Sequence, residues 1–392
     1  MHKIFVLSLT FFSSYLYAQN WEQLDPFPGA GRDDASVFVI DNAAYCGSGL
    51  ATGWITVGDF HRFDLETETW QTIAPLPIGK ERQYSCGFSR NGKGYLFGGY
   101  DGSIFLNDLY EYDPIGNSWS EKEALPAEGR GGMSCFVLGD TAYIVGGRTT
   151  SESALDEVWA YDFNLGSWSQ KNSLPFGKRW RSASVASTSS AFILGGRDET
   201  GTPQNDLHVY NPVNDSWQAL TNFPSTARYY AAAWFYNDKI YYGFGFSDPL
   251  EFYKDLWVYS IATNEWSALD DFPQAARRGG LSFSGPNGLY YTTGVTEELE
   301  RTSETWRYEP LLSLNELNGN QFNVYPNPAT DQVTILASGL EIDKIELLNL
   351  AGQKIKIVNS INSVNTSDLS AGVFLVKIYV ADSVVTKQLV IR

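Results

Sequence analysis

Arginine recurs at Arg32, Arg82, Arg130, Arg179, Arg228 and Arg277, and an acidic residue follows each at Asp59, Asp108, Glu157, Asp206, Asp255 and Glu304. A guanidinium fork meets a carboxylate through two parallel hydrogen bonds, so two chemistries are open to these columns. The arginines could ring a channel mouth and receive the carboxylates of an anionic sugar or acidic peptide, or each could be taken up by its own acid, one ion pair per repeat. Equal numbers of the two signs in one register favour the ion pairs. Arg148, Arg197, Arg181 and Lys178 break the pattern and are better ligand-binding candidates. Arg130 and Arg179, the column members in the same two repeats, stay beside them. Trp180, Trp54 and Tyr100, with Phe105, Phe246 and Tyr229, are expected to be exposed aromatics suited to sugar stacking or protein contact. An enzyme would need a carboxylate without a fixed partner near that mouth, with a raised pKa; Asp33, Asp34, Glu81 and Glu128 are the candidates.

Other chemistry is thinly represented. His61 and His208 stand in a column held elsewhere by Tyr110, Trp159, Trp257 and Trp306. Each therefore replaces a structural aromatic, and the two lie three repeats apart. Clustered copper ligands, zinc spacings, a nucleophile elbow and a phosphate loop are absent from the sequence, and no metal or cofactor is expected. Cys46, Cys86 and Cys135 are an odd set for an oxidising compartment. Cys86 and Cys135 occupy equivalent positions, filled in other repeats by Val37, Ser184, Ala233 and Ser282, so a packing role is expected; a bridge would need Cα atoms closer than ~7 Å.

The elements that position these residues are read from one period. Trp21, Trp70, Trp119, Trp168, Trp217 and Trp266 stand 49 residues apart, and a column of Phe63, Tyr112, Tyr161, Tyr210, Tyr259 and Tyr308 keeps the same step. A glycine column runs through Gly49, Gly98, Gly147, Gly196, Gly245 and Gly294. Each unit reads as four short strands: a small-residue strand after the arginine, an apolar strand closed by glycine, a variable loop, an aromatic strand after the acid, and a strand carrying Trp. A period of about 50 residues with four strands fits a propeller blade.

The segments Tyr143-Ile144-Val145-Gly146-Gly147, Asp206-Leu207-His208-Val209-Tyr210 and Trp217 resemble the kelch repeat over roughly residues 21 to 310. The glycine pair departs from the pattern at Ser48-Gly49, Gly243-Phe244-Gly245 and Thr293-Gly294, and Gly98-Gly99 is displaced by one residue. The seventh Trp position falls on Asn315, so the last blade lacks its outer strand and Trp21 has no strands of its own. The expected fold is all-β: a six-bladed kelch β-propeller at 19–310, its last blade closed by the N-terminal strand, because a joined ring leaves no open edges.

Residues 1–18 pair a basic start with an apolar run and Ala18, and read as a secretory signal peptide; no later run reaches the ~20 apolar residues of a membrane span. After a linker at 311–321, residues 322–392 read as a small antiparallel β-sandwich, with strands at Val333 to Ala337, Lys344 to Leu348, Lys354 to Val358, Val373 to Val380 and Val384 to Ile391. Val324-Tyr325-Pro326-Asn327-Pro328-Ala329, Leu348-Asn349-Leu350-Ala351-Gly352-Gln353 and Lys387-Gln388-Leu389-Val390-Ile391-Arg392 are similar to the C-terminal sorting domain of the Bacteroidota type IX secretion system. That resemblance implies passage through the periplasm, recognition by the type IX machinery, and a secreted or cell-surface product. The formal charge of −17 resides in the propeller, since residues 322–392 balance six basic against six acidic side chains; nucleic acid and anionic membrane are poor partners for such a surface. The expected function is a non-catalytic binding module for a glycan or protein ligand on the loop face. The alternative is a metal-independent carbohydrate-active enzyme resembling the kelch-type sialic-acid mutarotases, working through channel arginine and acidic residues.

Overall fold

A computed structural model describes residues 20–310, 322–337, 342–349, 354–359, 362–380 and 383–392; the expected signal peptide and linker lie outside them. The described residues fall into two compact units, divided after Glu309.

Six four-stranded antiparallel sheets, one to each repeat, form the frame of the larger unit, with one three-stranded and two two-stranded sheets among its loops. Blade 1 comprises Ser36–Ile40, Ala43–Gly47, Phe60–Asp64 and Thr69–Ile73. Blade 2 opens on Cys86–Arg90, blade 3 on Ser134–Leu138, blade 4 on Ala183–Ala186 and blade 5 on Ala232–Tyr236. Blade 6 has only Leu281–Gly285, Gly288–Thr292 and Thr305–Tyr308 from its own repeat, and Trp21–Leu24 supplies the fourth strand, pairing Trp21 with Tyr308 and Leu24 with Thr305. The ring closes as its sequence implies. Trp21 is buried edge-on against Phe244 and Phe272 of blade 5, so the closing strand also seals the neighbouring blade.

Burial follows position within the blade. Inner strands alternate, with one face packed and one facing the channel, whereas second strands such as Ala43–Gly47 and Gly288–Thr292 are buried along their length because sheets cover both faces. Outermost strands such as Ser216–Ala219 are mostly exposed. Stacked ring pairs recur where inner and second strands meet, as in Phe38–Tyr45, Phe88–Tyr95 and Phe283–Tyr290. The outer-strand tryptophans staple consecutive repeats: the indoles of Trp70, Trp119, Trp168 and Trp266 donate to the carbonyls of Asp25, Ala74, Glu123 and Thr221.

Small residues on the inner strands serve a purpose besides space. Hydroxyls cross the gap between blades: Ser134 donates to the Ser182 carbonyl, Ser184 to Cys135 and Ser282 to Ala233, all at 3.0 Å. At the loop end the glycine column ties blade to blade. The amides of Gly49, Gly99, Gly147, Gly196, Gly245 and Gly294 donate to the carbonyls of Arg82, Arg130, Arg179, Arg228, Arg277 and Arg32 at 2.7 to 3.0 Å, a circuit that closes on itself. Gly99, not Gly98, thus occupies the second glycine position, as far beyond Arg82 as Gly49 is beyond Arg32; the extra residue lies between Trp70 and Arg82, which is why the step from Arg32 to Arg82 is longer than the others. At the preceding position a Cβ on Gly146 would lie 2.5 Å from the Arg179 carbonyl oxygen, while Ser48, Phe244 and Thr293 hold that left-handed backbone without glycine, φ 57°, 59° and 64°.

The smaller unit pairs a three-stranded sheet, Phe322–Tyr325, Gln332–Ala337 and Ser363–Asn365, with a four-stranded sheet of Lys354–Asn359, Lys344–Leu348, Gly372–Val380 and Ser383–Ile391. Their inner faces share Phe322, Val333, Ile335, Ile345, Val376 and Leu389. Two of these strands, Phe322–Tyr325 and Ser363–Asn365, were not anticipated from alternation; both are short.

Candidate functional site: the axial mouth

The arginine column does not line the channel. Arg32, Arg82, Arg130, Arg179, Arg228 and Arg277 are all buried and paired within their blades: Arg32 to Asp59 at 2.7 Å, Arg82 to Asp108 at 2.5 Å, Arg130 to Glu157 at 2.9 Å, Arg179 to Asp206 at 2.5 Å, Arg228 to Asp255 at 2.5 Å and Arg277 to Glu304 at 3.0 Å. Several lie over a phenylalanine of the preceding loop, as Arg228 does over Phe223 at 4.8 Å. The histidine column completes the unit. His61 and His208 hydrogen-bond the acids two residues before them at 3.0 Å, the place taken by the indole N–H of Trp159, Trp257 and Trp306 elsewhere. Burial pushes the Asp59 carboxyl upward, but hydrogen bonds from His61 and Arg32 hold it well below the usual carboxylate range.

Two residues beyond each arginine the chain reaches the axis. Asp34, Tyr84, Gly132, Arg181, Tyr230 and Gly279 all adopt left-handed backbone, φ 57° to 67°. Their amides and carbonyls form a second closed circuit: Asp34 N to Gly279 O, Gly279 N to Tyr230 O, Tyr230 N to Arg181 O, Arg181 N to Gly132 O, Gly132 N to Tyr84 O and Tyr84 N to Asp34 O, at 2.8 to 3.3 Å. One backbone conformation thus aims six different residues at one point. Non-glycine residues at positive φ are strained and concentrate at functional sites.

Four side chains converge there, around a cavity of about 130 Å³ that opens on the channel. The Arg181 guanidinium lies between two phenol rings, 3.6 Å from the centre of Tyr84 and 4.1 Å from that of Tyr230. One of its nitrogens is 3.0 Å from Asp34 Oδ1. The Arg181 side chain is only 10% exposed, yet its Nε and Nη2 have no hydrogen-bond partner, and neither does Asp34 Oδ1, whose contact with the guanidinium is poorly aligned. Behind Asp34 sits Asp33, bonded to Arg301 Nε at 2.6 Å and near Arg278 at 3.5 Å; Arg278 also lies 4.4 Å over the Tyr230 ring. Burial and the neighbouring Asp33 charge raise the Asp34 carboxyl to about 7 against the opposing pull of Arg181 and Arg278. Burial also drives the Tyr84 and Tyr230 phenols up.

The loops after the glycine column share this face, as expected. Residues flanking the axis bridge to them: Gln83 to Tyr100, Gly131 to Arg148, Trp180 to Arg197 and Tyr229 to Phe246. Arg148 lies 5.2 Å over Trp180 and 5.7 Å over Phe105 with its Nε unpartnered. Arg197 is engaged by Asp248, the Tyr229 hydroxyl and the Gly201 carbonyl. Lys178 pairs with Glu152 at 2.9 Å. Of the aromatics proposed as exposed, only Trp54 is, at 78%, stacked with Arg301; Tyr100, Phe105 and Trp180 are half-buried and Tyr229 and Phe246 are buried, because they pack between loops. Among the carboxylates named from sequence, Glu128 is held by the Ser151 hydroxyl and lies below the usual range, and Glu81 accepts from the Gly79 amide. Of the four, Asp34 lines the axial cavity. Tyr84, Tyr230, Arg278 and Arg301 were missed in the sequence; for Tyr84 and Tyr230 a signal was present, two residues after a columnar arginine, at a position that differs between repeats.

The model for the KLHDC2/KLHL20/DRC7 Kelch-repeats domain matches residues 30–173 and 132–313. The chain belongs to the kelch-repeat family. The kelch propeller is followed at residues 323–392 by a match to the secretion system C-terminal sorting domain, which marks the chain for export by type IX secretion to the cell surface or medium. A solved structure titled "Structure of YjhT" shares the kelch fold, with a TM-score of 0.63 and 18% identity, covering 72% of this chain and 95% of that one. No curated protein sequence matches. Among the described residues no helix is long and apolar enough to cross a membrane, and no cluster of His, Cys, Asp and Glu is placed to hold a metal ion.

Proposed function

We propose that this exported kelch propeller binds a carboxylate-bearing glycan at the axial mouth. The observation that carries this reading is Arg181: a nearly buried guanidinium lining the axial cavity, its faces covered by Tyr84 and Tyr230, with two nitrogens unpartnered. A buried unpaired donor is costly, about 1 to 3 kcal/mol, and a ligand carboxylate would satisfy it through a charge-assisted fork. The surroundings fit the same ligand. Arg148, Arg181, Arg278 and Arg301 outnumber Asp33 and Asp34 in a propeller that is otherwise acidic, and the tyrosine and tryptophan faces suit sugar rings. Met1 to Ala18 would carry the chain to the periplasm, and residues 322–392 would engage the type IX machinery. Calorimetric titration of the purified protein with a sialic acid and with its neutral carbinol analogue tests the proposal. Binding of the acid alone, lost in Arg181→Ala, supports it; equal affinity for both, or full affinity in the variant, defeats it.

A second reading rests on Asp34. A carboxyl titrating near neutrality, buried beside a cation and two phenols, is poised to give and take a proton at a sugar hydroxyl or ring oxygen, which is what a metal-independent mutarotase requires. Exchange NMR between the anomers of a bound sugar acid decides it: acceleration by the native protein and not by Asp34→Asn supports catalysis, and rates equal to buffer leave a receptor.

A further inference from the structure

We propose that Cys86 and Cys135 form a disulfide between blades 2 and 3 in the exported protein. The two residues stand at the same position of adjacent inner strands, Cys86–Arg90 and Ser134–Leu138. At this position a side chain reaches the next strand's backbone, as the 3.0 Å bonds from Ser184 to Cys135 O and from Ser282 to Ala233 O show. Cys135 does the same: its Sγ donates to Gly87 O at 3.4 Å, over the strand that carries Cys86. The two thiols pack together and interact directly across neighbouring inner strands, and a bridge closes where the backbone brings their Cα atoms within about 7 Å. Both residues line the channel, a cavity of about 460 Å³, and Cys135 is partly exposed to it.

Compartment and cysteine count agree with the geometry. The sorting domain takes the chain beyond cytosolic reductants, where close thiol pairs oxidise. Cys46 is left over and stays reduced, since it is fully buried between blades 1 and 6 with Phe63 and Tyr290, and burial pushes its thiol far up. Cys86 is buried and Cys135 partly exposed to the channel, so the Cys135 thiolate attacks first. It displaces one thiolate from a small-molecule or protein disulfide that enters the channel, giving a mixed disulfide. Cys86 then loses its proton and attacks the Cys135 sulfur, expelling the second thiolate. The protein loses two electrons and two protons, and the incoming disulfide becomes two thiols.

The test uses full-length protein recovered from the exporting cell or its medium, denatured without reductant, alkylated and analysed by peptide mass spectrometry. The expected result is one alkylated cysteine, Cys46, a linked peptide pair containing Cys86 and Cys135, and three alkylated cysteines after reduction. Reductant should lower the melting temperature of the native protein and leave that of Cys135→Ser unchanged, with Cys86→Ser as the substitute should that variant not fold. Three alkylatable cysteines in the exported, unreduced protein would overturn the proposal, as would any linkage through Cys46.

Discussion

The columnar arginines and the axial arginine use the same side chain against the same kind of acid, two residues apart in the chain, and come to opposite ends. Arg179 is buried against Asp206, with its blade's His208 on the same carboxylate. Arg179 leaves only its Nε without a partner, whereas Arg181, nearly as buried, leaves both Nε and Nη2, beside a carboxyl raised to about 7. In the first column all six blades carry the same residue; in the second, six blades with one backbone conformation carry Asp, Tyr, Gly, Arg, Tyr and Gly. Sameness across blades marks what each sheet needs to stand. Difference, imposed on a shared backbone, marks what the ring presents to a ligand.

The sharpest way to break this contrast is Arg228→Ala. Its side chain is fully buried and its partner Asp255 would be stranded, so a loss of about 3 to 5 kcal/mol is expected in denaturant unfolding. A loss below about 1 kcal/mol would erase the distinction between columns. Next comes Asp34→Asn, which keeps a residue tolerant of positive φ. An unfolded aspartate titrates near 4 and Asp34 in the fold near 7, so the folded state retains a proton that the unfolded chain releases. Stability of the native protein should therefore fall as pH rises from about 4 to about 7. The variant escapes this and should be more stable by on the order of 2 kcal/mol at pH 8, with the difference vanishing toward pH 4. A pH-independent difference would show that Asp34 is ionised throughout.

Arg181→Ala sharpens the axial side. Because two guanidinium nitrogens lack partners and Asp34 can hold a proton once the cation is gone, stability should fall by less than in Arg228→Ala, while affinity for a sugar acid drops at least tenfold and the Asp34 titration moves to higher pH. The smallest effect belongs to the loops: Arg148→Ala with Arg197→Ala should cost less than about 1 kcal/mol and weaken binding only severalfold. Loop variants that abolish binding while Arg181→Ala does not would move the site outward from the axis.

What was legible in the sequence divides along the same line. The blade count, the closing strand and the ion pairs could be read because a repeat writes each structural demand six times, and a demand written six times stands above chance. Arg181 was singled out for breaking the pattern and Asp34 for having no assigned partner, but nothing in their separation along the chain says they meet. Their meeting depends on the ring, which brings blades 1 and 4 to a common axis. Tyr84 and Tyr230 were passed over because tyrosine is abundant in this chain and usually signifies packing, as it does at Tyr112, Tyr161 and Tyr210. The apparent exposure of Phe246 and Tyr229 failed for a related reason: the loops are long enough to pack on one another and bury their own aromatics.

The Trp21–Leu24 strand also sets an order of events. It emerges ahead of every other blade strand from any pore that passes the chain from its N-terminus, and its partner Thr305–Tyr308 is the last of the propeller to follow. Until then blade 6 lacks both outer strands, so partial chains hold blades without a sealed ring. Maturation is thereby gated by completeness: a polypeptide cut short anywhere before Tyr308 cannot pass for a finished product, and quality control need inspect only the seam.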